Sequence, residues 1–173
     1  MRFDPTDDSI ETAAAICAGR DAEELTALFQ TYGEERFASR IARSIVAHRR
    51  EQPIATTDQL FKLIEQSLPA KIRWRAARHA ARVFQALRIA VNDELDAIAD
   101  VLPQALAALA PGGRLVVIAF HSLEDRMVKN FFREERQAGR LRVLTKRPVQ
   151  PGEAEIAANP RAASARLRAA ERI

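Results

Sequence analysis

Cysteine is almost missing from this chain. Cys17 is the only one in 173 residues, so an internal disulfide is excluded, and nothing near it suggests a metal site. Histidine is nearly as scarce, and His48, His79 and His121 are too scattered to form a ligand motif. Glycine is short as well: Gly19, Gly33, Gly112, Gly113, Gly139 and Gly152 are the whole set. No Gly-x-Gly loop joins a strand to a helix, which excludes the phosphate- or nucleoside-binding first half of a doubly wound sheet. No apolar run is long enough to span a bilayer, so no membrane partner is expected. There are no internal repeats and no low-complexity tract. The opening run Met1-Arg2-Phe3-Asp4-Pro5 turns acidic at once; no secretory signal is expected, and the cytoplasm is the default location.

What is present is an apolar fraction of 47% and a charged fraction of 29%, enough for one full domain or two small ones. The net charge of +4 hides an asymmetry. Residues 1–35 hold nine acidic and two basic side chains, and the remainder holds 14 acidic and 25 basic. Arginine dominates the basic set, with Arg73, Arg75, Arg78, Arg82 and Arg88 in one segment and Arg133, Arg136, Arg140, Arg142 and Arg147 in another. A planar guanidinium suits phosphates and stacks on bases, so nucleic acid is the expected partner. Arginine-rich helices encoded by a GC-rich genome are the ordinary alternative.

Residues 7–70 read as a small all-helical unit. A short helix over Ile10–Ala18 ends at Gly19. Asp21, with Glu24 three residues on, opens a second whose Leu25, Leu28, Phe29 and Tyr32 share one face. Phe37, Ile41 and Ile45 mark a third, with Arg36, Arg40 and Arg43 on its other side. Thr56-Thr57-Asp58 opens a fourth that Pro69 closes. One longer helical stretch is predicted over Ala77–Ala99, with Arg88, Asn92 and Asp96 recurring along it; Asn92 and Asp93 are unfavourable in mid-helix. A further helix is predicted from Pro103 to Leu109.

The most informative run follows Pro111-Gly112-Gly113. Leu115 to Phe120 is apolar without alternation, the pattern of a strand buried on both faces of a parallel sheet. It stops at His121, and Ser122-Leu123-Glu124-Asp125 looks like a helix start, with Ser122 as cap and Asp125 reaching back to it. A polar cluster at the carboxyl end of a buried strand, just before a helix, is where open α/β sheets place ligands. The plainer reading makes His121 and Glu124 loop and cap residues only. Leu141–Thr145 alternates weakly and is expected to form another strand; the tail over Ser164–Ile173 reads as a strand or a helix, and the alternation of Leu167 and Ala169 with Arg166 and Arg168 favours an edge-type strand. Two such strands do not complete a sheet around the apolar one, and an exposed apolar edge invites pairing. By its own logic the chain reads as the second half of something.

Four segments resemble one family. They are Tyr32-Gly33-Glu34-Glu35-Arg36-Phe37 continuing to Arg43; Phe84-Gln85-Ala86-Leu87-Arg88-Ile89-Ala90-Val91-Asn92-Asp93 within 82–95; Phe120-His121-Ser122-Leu123-Glu124-Asp125-Arg126; and Ile156-Ala157-Ala158-Asn159-Pro160-Arg161 within 155–168. The Pro53–Thr57 turn fits as well. Together they resemble the bacterial S-adenosylmethionine-dependent methyltransferases that modify the exocyclic amine of a cytidine in small-subunit 16S rRNA. The resemblance covers nearly the whole chain in the right order.

The resemblance implies an α/β fold: the last strands of a class I, Rossmann-like methyltransferase sheet with a mostly helical insert domain. The insert would occupy 7–75, and 76–173 would be the carboxyl-terminal part of the methyltransferase domain, with strands near 114–120, 141–146 and 165–172. His121, Ser122, Glu124 and Asp125 would line the base side of the site, while Arg126, Arg88, Asn92 and Arg82 would contact RNA. Glu124 and Asp125 as caps, and Arg88 and Asn92 as braces, are the plainer readings.

Two departures stand out. Arg78-His79-Ala80-Ala81-Arg82 replaces the family's His-Pro-Ala-Thr-Arg run, and the segment is expected to be helical. The family's glycine-rich cofactor loop and acidic ribose-binding residue have no counterpart, so a truncation without catalysis of its own is expected, with S-adenosyl-L-methionine as the cofactor by family only. The implied partner is 16S rRNA in the small ribosomal subunit. Two other readings are a non-catalytic RNA-binding module and an interaction piece that self-associates through its unpaired sheet edge.

Overall fold

The computed structural model describes residues 1–4 and 6–173; Pro5, the end of the opening run, lies outside the described residues. The chain forms two compact units, Met1–Glu94 and Leu95–Ile173.

The first unit is helical: α1 (Ala13–Gly19), α2 (Ala22–Thr31), α3 (Ala38–His48), α4 (Thr57–Ser67), a 3-10 segment (Ala70–Arg75) and α5 (Ala76–Asn92). The Asp21 carboxylate accepts from the N–H groups of Glu23 and Glu24, and Glu24 accepts from the Asp21 N–H at 2.7 Å. This reciprocal cap satisfies donors that the first turn of α2 leaves unpaired. Thr56 and Gln59 do the same for α4. The apolar stripes then close on one another, burying Leu25, Phe29, Ile41, Ile45, Ile64, Val83 and Leu87 in one core. Gly33 sits where α5 passes close by. A Cβ there would lie 2.6 Å from the Arg82 carbonyl oxygen and 2.8 Å from that of Phe29, so only glycine fits.

The stretch predicted as one helix over Ala77–Ala99 is two. Asp93 adopts the left-handed conformation, φ 48°, and its N–H bonds back to the Ile89 carbonyl, which ends α5. Aspartate is one of the few side chains that tolerate this region. Asn92 and Asp93 therefore terminate a helix rather than interrupt one, and the Arg88–Asn92–Asp96 spacing does not continue along a single helix.

The second unit contains α6 (from Glu94, the last residue of the first unit, to Ala108), β1 (Arg114–Ala119), α7 (Ser122–Gln137), β2 (Leu141–Val143), α8 (Glu153–Ala158) and β3 (Arg166–Arg172). Pro103 lies inside α6 instead of starting a helix. At the end of α6 the Arg172 guanidinium donates to the carbonyls of Leu106, Ala107 and Leu109. A cation there satisfies acceptors the last turn cannot and complements the helix dipole.

Among the described residues the sheet has three strands in the order β1-β3-β2, with β3 antiparallel to both neighbours. β1 and β2 consequently run parallel. β3 is central rather than an edge, and β1, expected in mid-sheet, is an edge, as is β2. Leu115, Val117 and Ala119 share a face with Ala170, Arg168 and Arg166. That face packs on α6 and α7 around Leu102, Leu106, Val128, Phe132 and Leu141. The other face carries Val116, Ile118 and Phe120, which are 53%, 52% and 53% exposed. Among the described residues of this unit, helices cover one side of the sheet, and alternate side chains of a strand point to opposite sides, so an unbroken apolar run ends up half-exposed. β2 is shorter than expected. Beyond it the chain stays beside β3 irregularly: Leu144 and Thr145 donate to the Ala169 carbonyl and Val149 bridges to Leu167. The whole is an α/β structure, mostly helical, with a small antiparallel sheet. No helix among the described residues is long and apolar enough to cross a membrane.

Candidate functional site

The turn from β1 into α7 gathers five of the residues singled out from sequence. His121, not Ser122, is the cap. Its backbone is extended, and its Nδ1 accepts from the Glu124 N–H at 3.3 Å. Glu124 answers by accepting from the N–H groups of Phe120 at 2.7 Å and His121 at 3.1 Å. The box is thus shifted by one residue from the expected Ser122–Asp125 pair. An accepting Nδ1 puts the imidazole proton on Nε2, which lies 3.4 Å from the other Glu124 oxygen.

Releasing Asp125 from capping frees it for a different bond. Its carboxylate accepts from Arg168 Nε at 2.6 Å and Nη2 at 3.1 Å, a two-point clamp, and Arg166 Nη1 lies 3.6 Å away. Both Asp125 and Arg168 are buried. The hydrogen bond from Arg168 is the main reason that the Asp125 carboxyl titrates below its ordinary value of 3.8; the positive charges of Arg168 and Arg166 add to it, against the effect of burial. Ser122 is half-buried on the same turn and Arg126 is exposed one residue beyond Asp125.

The remaining three residues lie along α5. Arg88 makes a two-point bond to Glu94, at 2.7 and 2.9 Å. Asn92 accepts from the Phe3 N–H at 2.8 Å and donates to the carbonyls of Met1 at 3.0 Å and Arg88 at 2.7 Å, strapping the amino-terminal residues to the helix. Arg82 lies 3.8 Å from Glu35, a carboxylate with no exposed side-chain surface. His79 Nδ1 is 2.9 Å from both oxygens of that carboxylate, the Phe37 N–H donates to it, and the Phe37 ring meets the imidazole edge-on at 5.3 Å.

Sequence reasoning missed Arg168, Glu94, and the Glu35–His79 pair as partners. The alternation of Leu167 and Ala169 with Arg166 and Arg168 points to the arginines as the exposed face of the tail, whereas in the structure Arg168 shares with Ala170 the face that the helices cover. For His79 and Glu35, 44 residues apart, there was no signal.

Gly112 and Gly113 precede β1, where their N–H groups bond to the carbonyls of Arg172 and Ala110. The strand-to-helix turn that follows β1 contains no glycine. Among the described residues, then, nothing matches the glycine turn through which a strand and helix receive a pyrophosphate or nucleoside.

The model of the MraW methylase family matches residues 1–173, the entire chain. The chain belongs to the MraW methylase family. Among curated relatives, the Ribosomal RNA small subunit methyltransferase H of Thermomicrobium roseum is 56% identical over 188 aligned residues, covering all of this chain and 56% of that protein. The same-named proteins of Acidothermus cellulolyticus and Heliobacterium mobile are 50% and 46% identical, with 56% and 60% of their lengths covered. The MraW-family chain therefore spans a little over half the length of the curated relatives it matches. Membership in a methyltransferase family implies use of S-adenosylmethionine.

Proposed function

We propose that this chain forms the RNA side of an S-adenosylmethionine-dependent enzyme that methylates the exocyclic N4 amine of a cytidine in 16S rRNA of the small ribosomal subunit, in the cytoplasm. The observation that carries this reading is the family match over all 173 residues. The strand order supports a class I, Rossmann-like sheet end, in which a central antiparallel strand separates two parallel ones. The reading treats residues 7–75 as the helical insert and 76–173 as the end of the methyltransferase domain.

The chemistry required of this chain is positional. An aromatic amine has its lone pair delocalised into the ring, and an acceptor near its N–H helps to localise it. A base within structured RNA must also be turned out to be reached. His121 and Ser122 would meet the base, and Glu124 and Asp125 would hold the turn through its two backbone N–H bonds and its arginine clamp. Arg126, Arg88, Asn92 and Arg82 would meet the RNA.

The test is a hybrid in which residues 1–173 replace the matching 56% of the Thermomicrobium roseum relative. With tritiated S-adenosylmethionine and small subunits lacking the modification, label is expected in N4-methylcytidine. Residues 1–173 alone should transfer no label and show no micromolar cofactor binding by calorimetry. A hybrid that stays inactive while the intact relative works would overturn the proposal, as would label in another nucleoside.

The open face and free edge of β1 favour a second reading, a protein-interaction module that self-associates there. That reading predicts a mass in light scattering that rises with protein concentration and falls when Val116 and Ile118 are replaced by threonine. A monomer at all concentrations removes it.

A further inference from the structure

Between Gln66 and Asn92 the chain carries Lys71, Arg73, Arg75, Arg78, Arg82 and Arg88, and no aspartate or glutamate. Some of these cations have structural work. Arg73 donates to the carbonyls of Leu68 and Gln66, Arg82 lies beside Glu35 and Arg88 clamps Glu94. Lys71, Arg75 and Arg78 are exposed, and none of them forms an ion pair among the described residues.

In their midst stands Trp74, the only tryptophan of the chain and 75% exposed. An indole left so far out of a core is costly to hydrate and is unusual without a partner. This one is held in place: its Nε1 donates to the Lys71 carbonyl at 3.2 Å, and the Arg75 guanidinium lies 4.3 Å from the ring centroid. A planar cation stacked on a pinned ring, flanked by free positive charges, matches what a base and its adjoining phosphates require.

We propose that Trp74, with Lys71, Arg75 and Arg78 around it, is a stacking platform for an unpaired base of an RNA strand. An anionic membrane would also answer to tryptophan and arginine, but interfacial binding needs several apolar side chains together. Here Ile72 is half-buried and Trp74 stands alone. An acidic protein would use the charges and leave the flat ring unused. The inference rests on the reading that the protein acts on RNA and assigns a contact within it.

Because Trp74 is the sole tryptophan, its fluorescence reports the contact directly. Titrating residues 1–173 with oligocytidylate is expected to quench that emission saturably. Trp74→Ala should weaken binding, read by anisotropy of a labelled oligocytidylate, by roughly 5- to 150-fold, equivalent to about 1–3 kcal/mol for one stacked base. Trp74→Phe, which keeps an aromatic face, should retain most of the affinity. Lys71→Ala and Arg75→Ala should each flatten the dependence of log K on log salt by about 0.7, the value for one phosphate on a single strand.

Emission that stays unchanged at saturating RNA would overturn the proposal, as would absence of RNA binding or equal affinity in Trp74→Ala. So would a response to phosphatidylglycerol vesicles in place of one to RNA. Failure of the hybrid to methylate, with quenching intact, would count against the enzymatic reading and leave the platform standing.

Discussion

Asp125→Ala is expected to destabilise the second unit by about 3–5 kcal/mol, the range for breaking a buried ion pair by removing one partner. The loss arises because Arg168, 7% exposed, keeps its charge and loses its two-point acceptor. Arg168→Ala should cost about as much, for the mirror-image reason, whereas the double substitution should cost less than the sum of the two. Urea unfolding followed by circular dichroism measures this, since Trp74 lies outside the unit and would not report on it.

The pair also sets a pH dependence. The folded carboxyl titrates below 3.8, held there chiefly by the Arg168 hydrogen bond. A carboxyl whose folded value is depressed adds stability above its unfolded value of roughly 3.9 and loses it as the pH falls through the folded value. Wild-type stability should therefore drop below about pH 4, and Asp125→Ala should lack that portion of the drop. A loss under about 1 kcal/mol at neutral pH would mean that the clamp is no stronger than a surface pair. The same clamp anchors the first turn of α7 to β3, so the variant should also loosen the position of His121 and Ser122.

His79→Ala is the second large effect. It leaves the fully buried Glu35 carboxyl with the Phe37 N–H and a guanidinium 3.8 Å away, and it opens a hole beside the Phe37 ring. The expected loss is on the order of 3 kcal/mol, combining an unsatisfied buried acceptor with a cavity. For a unit of this size that lowers the melting temperature by more than about 10 °C. Differential scanning calorimetry of His79→Ala beside Glu35→Ala tests it; a change of only a few degrees in both would show the pair to be dispensable. The consequence for function is indirect. This pair ties α5, with its Arg82, Arg88 and Asn92, to the turn that enters α3.

Features decided within a few residues were legible in advance. The Asp21–Glu24 cap and the helix opening at Thr56 need only the local chain, as do the strand near 114–120 and the start of the one at Leu141, while the residues of the tail by themselves leave strand and helix both open. The shift from Ser122 to His121 shows how narrow that legibility is. Either residue can accept from an N–H three positions on, and the choice depends on where the extended backbone of β1 gives way to helix. Pro103 read as a helix start because proline favours the first turn, yet α6 absorbs it. The break at Asp93 carried only a hint, an unfavourable residue pair, because a left-handed aspartate has no distinctive spacing.

By itself the sequence determined that the chain is mostly helical with few strands, and that its segments match one methyltransferase family. Periodicity, capping and motif order are properties of neighbours along the chain, and they can be read without a structure. Only the tertiary structure decided that β1 lies at an edge with one face open, and that Arg168 is buried against Asp125. It also decided that Glu35 closes on His79 and that Trp74 stands pinned beneath a guanidinium. Each of these depends on which side of a sheet the helices cover, or on side chains brought together from distant positions, and no local pattern encodes that pairing.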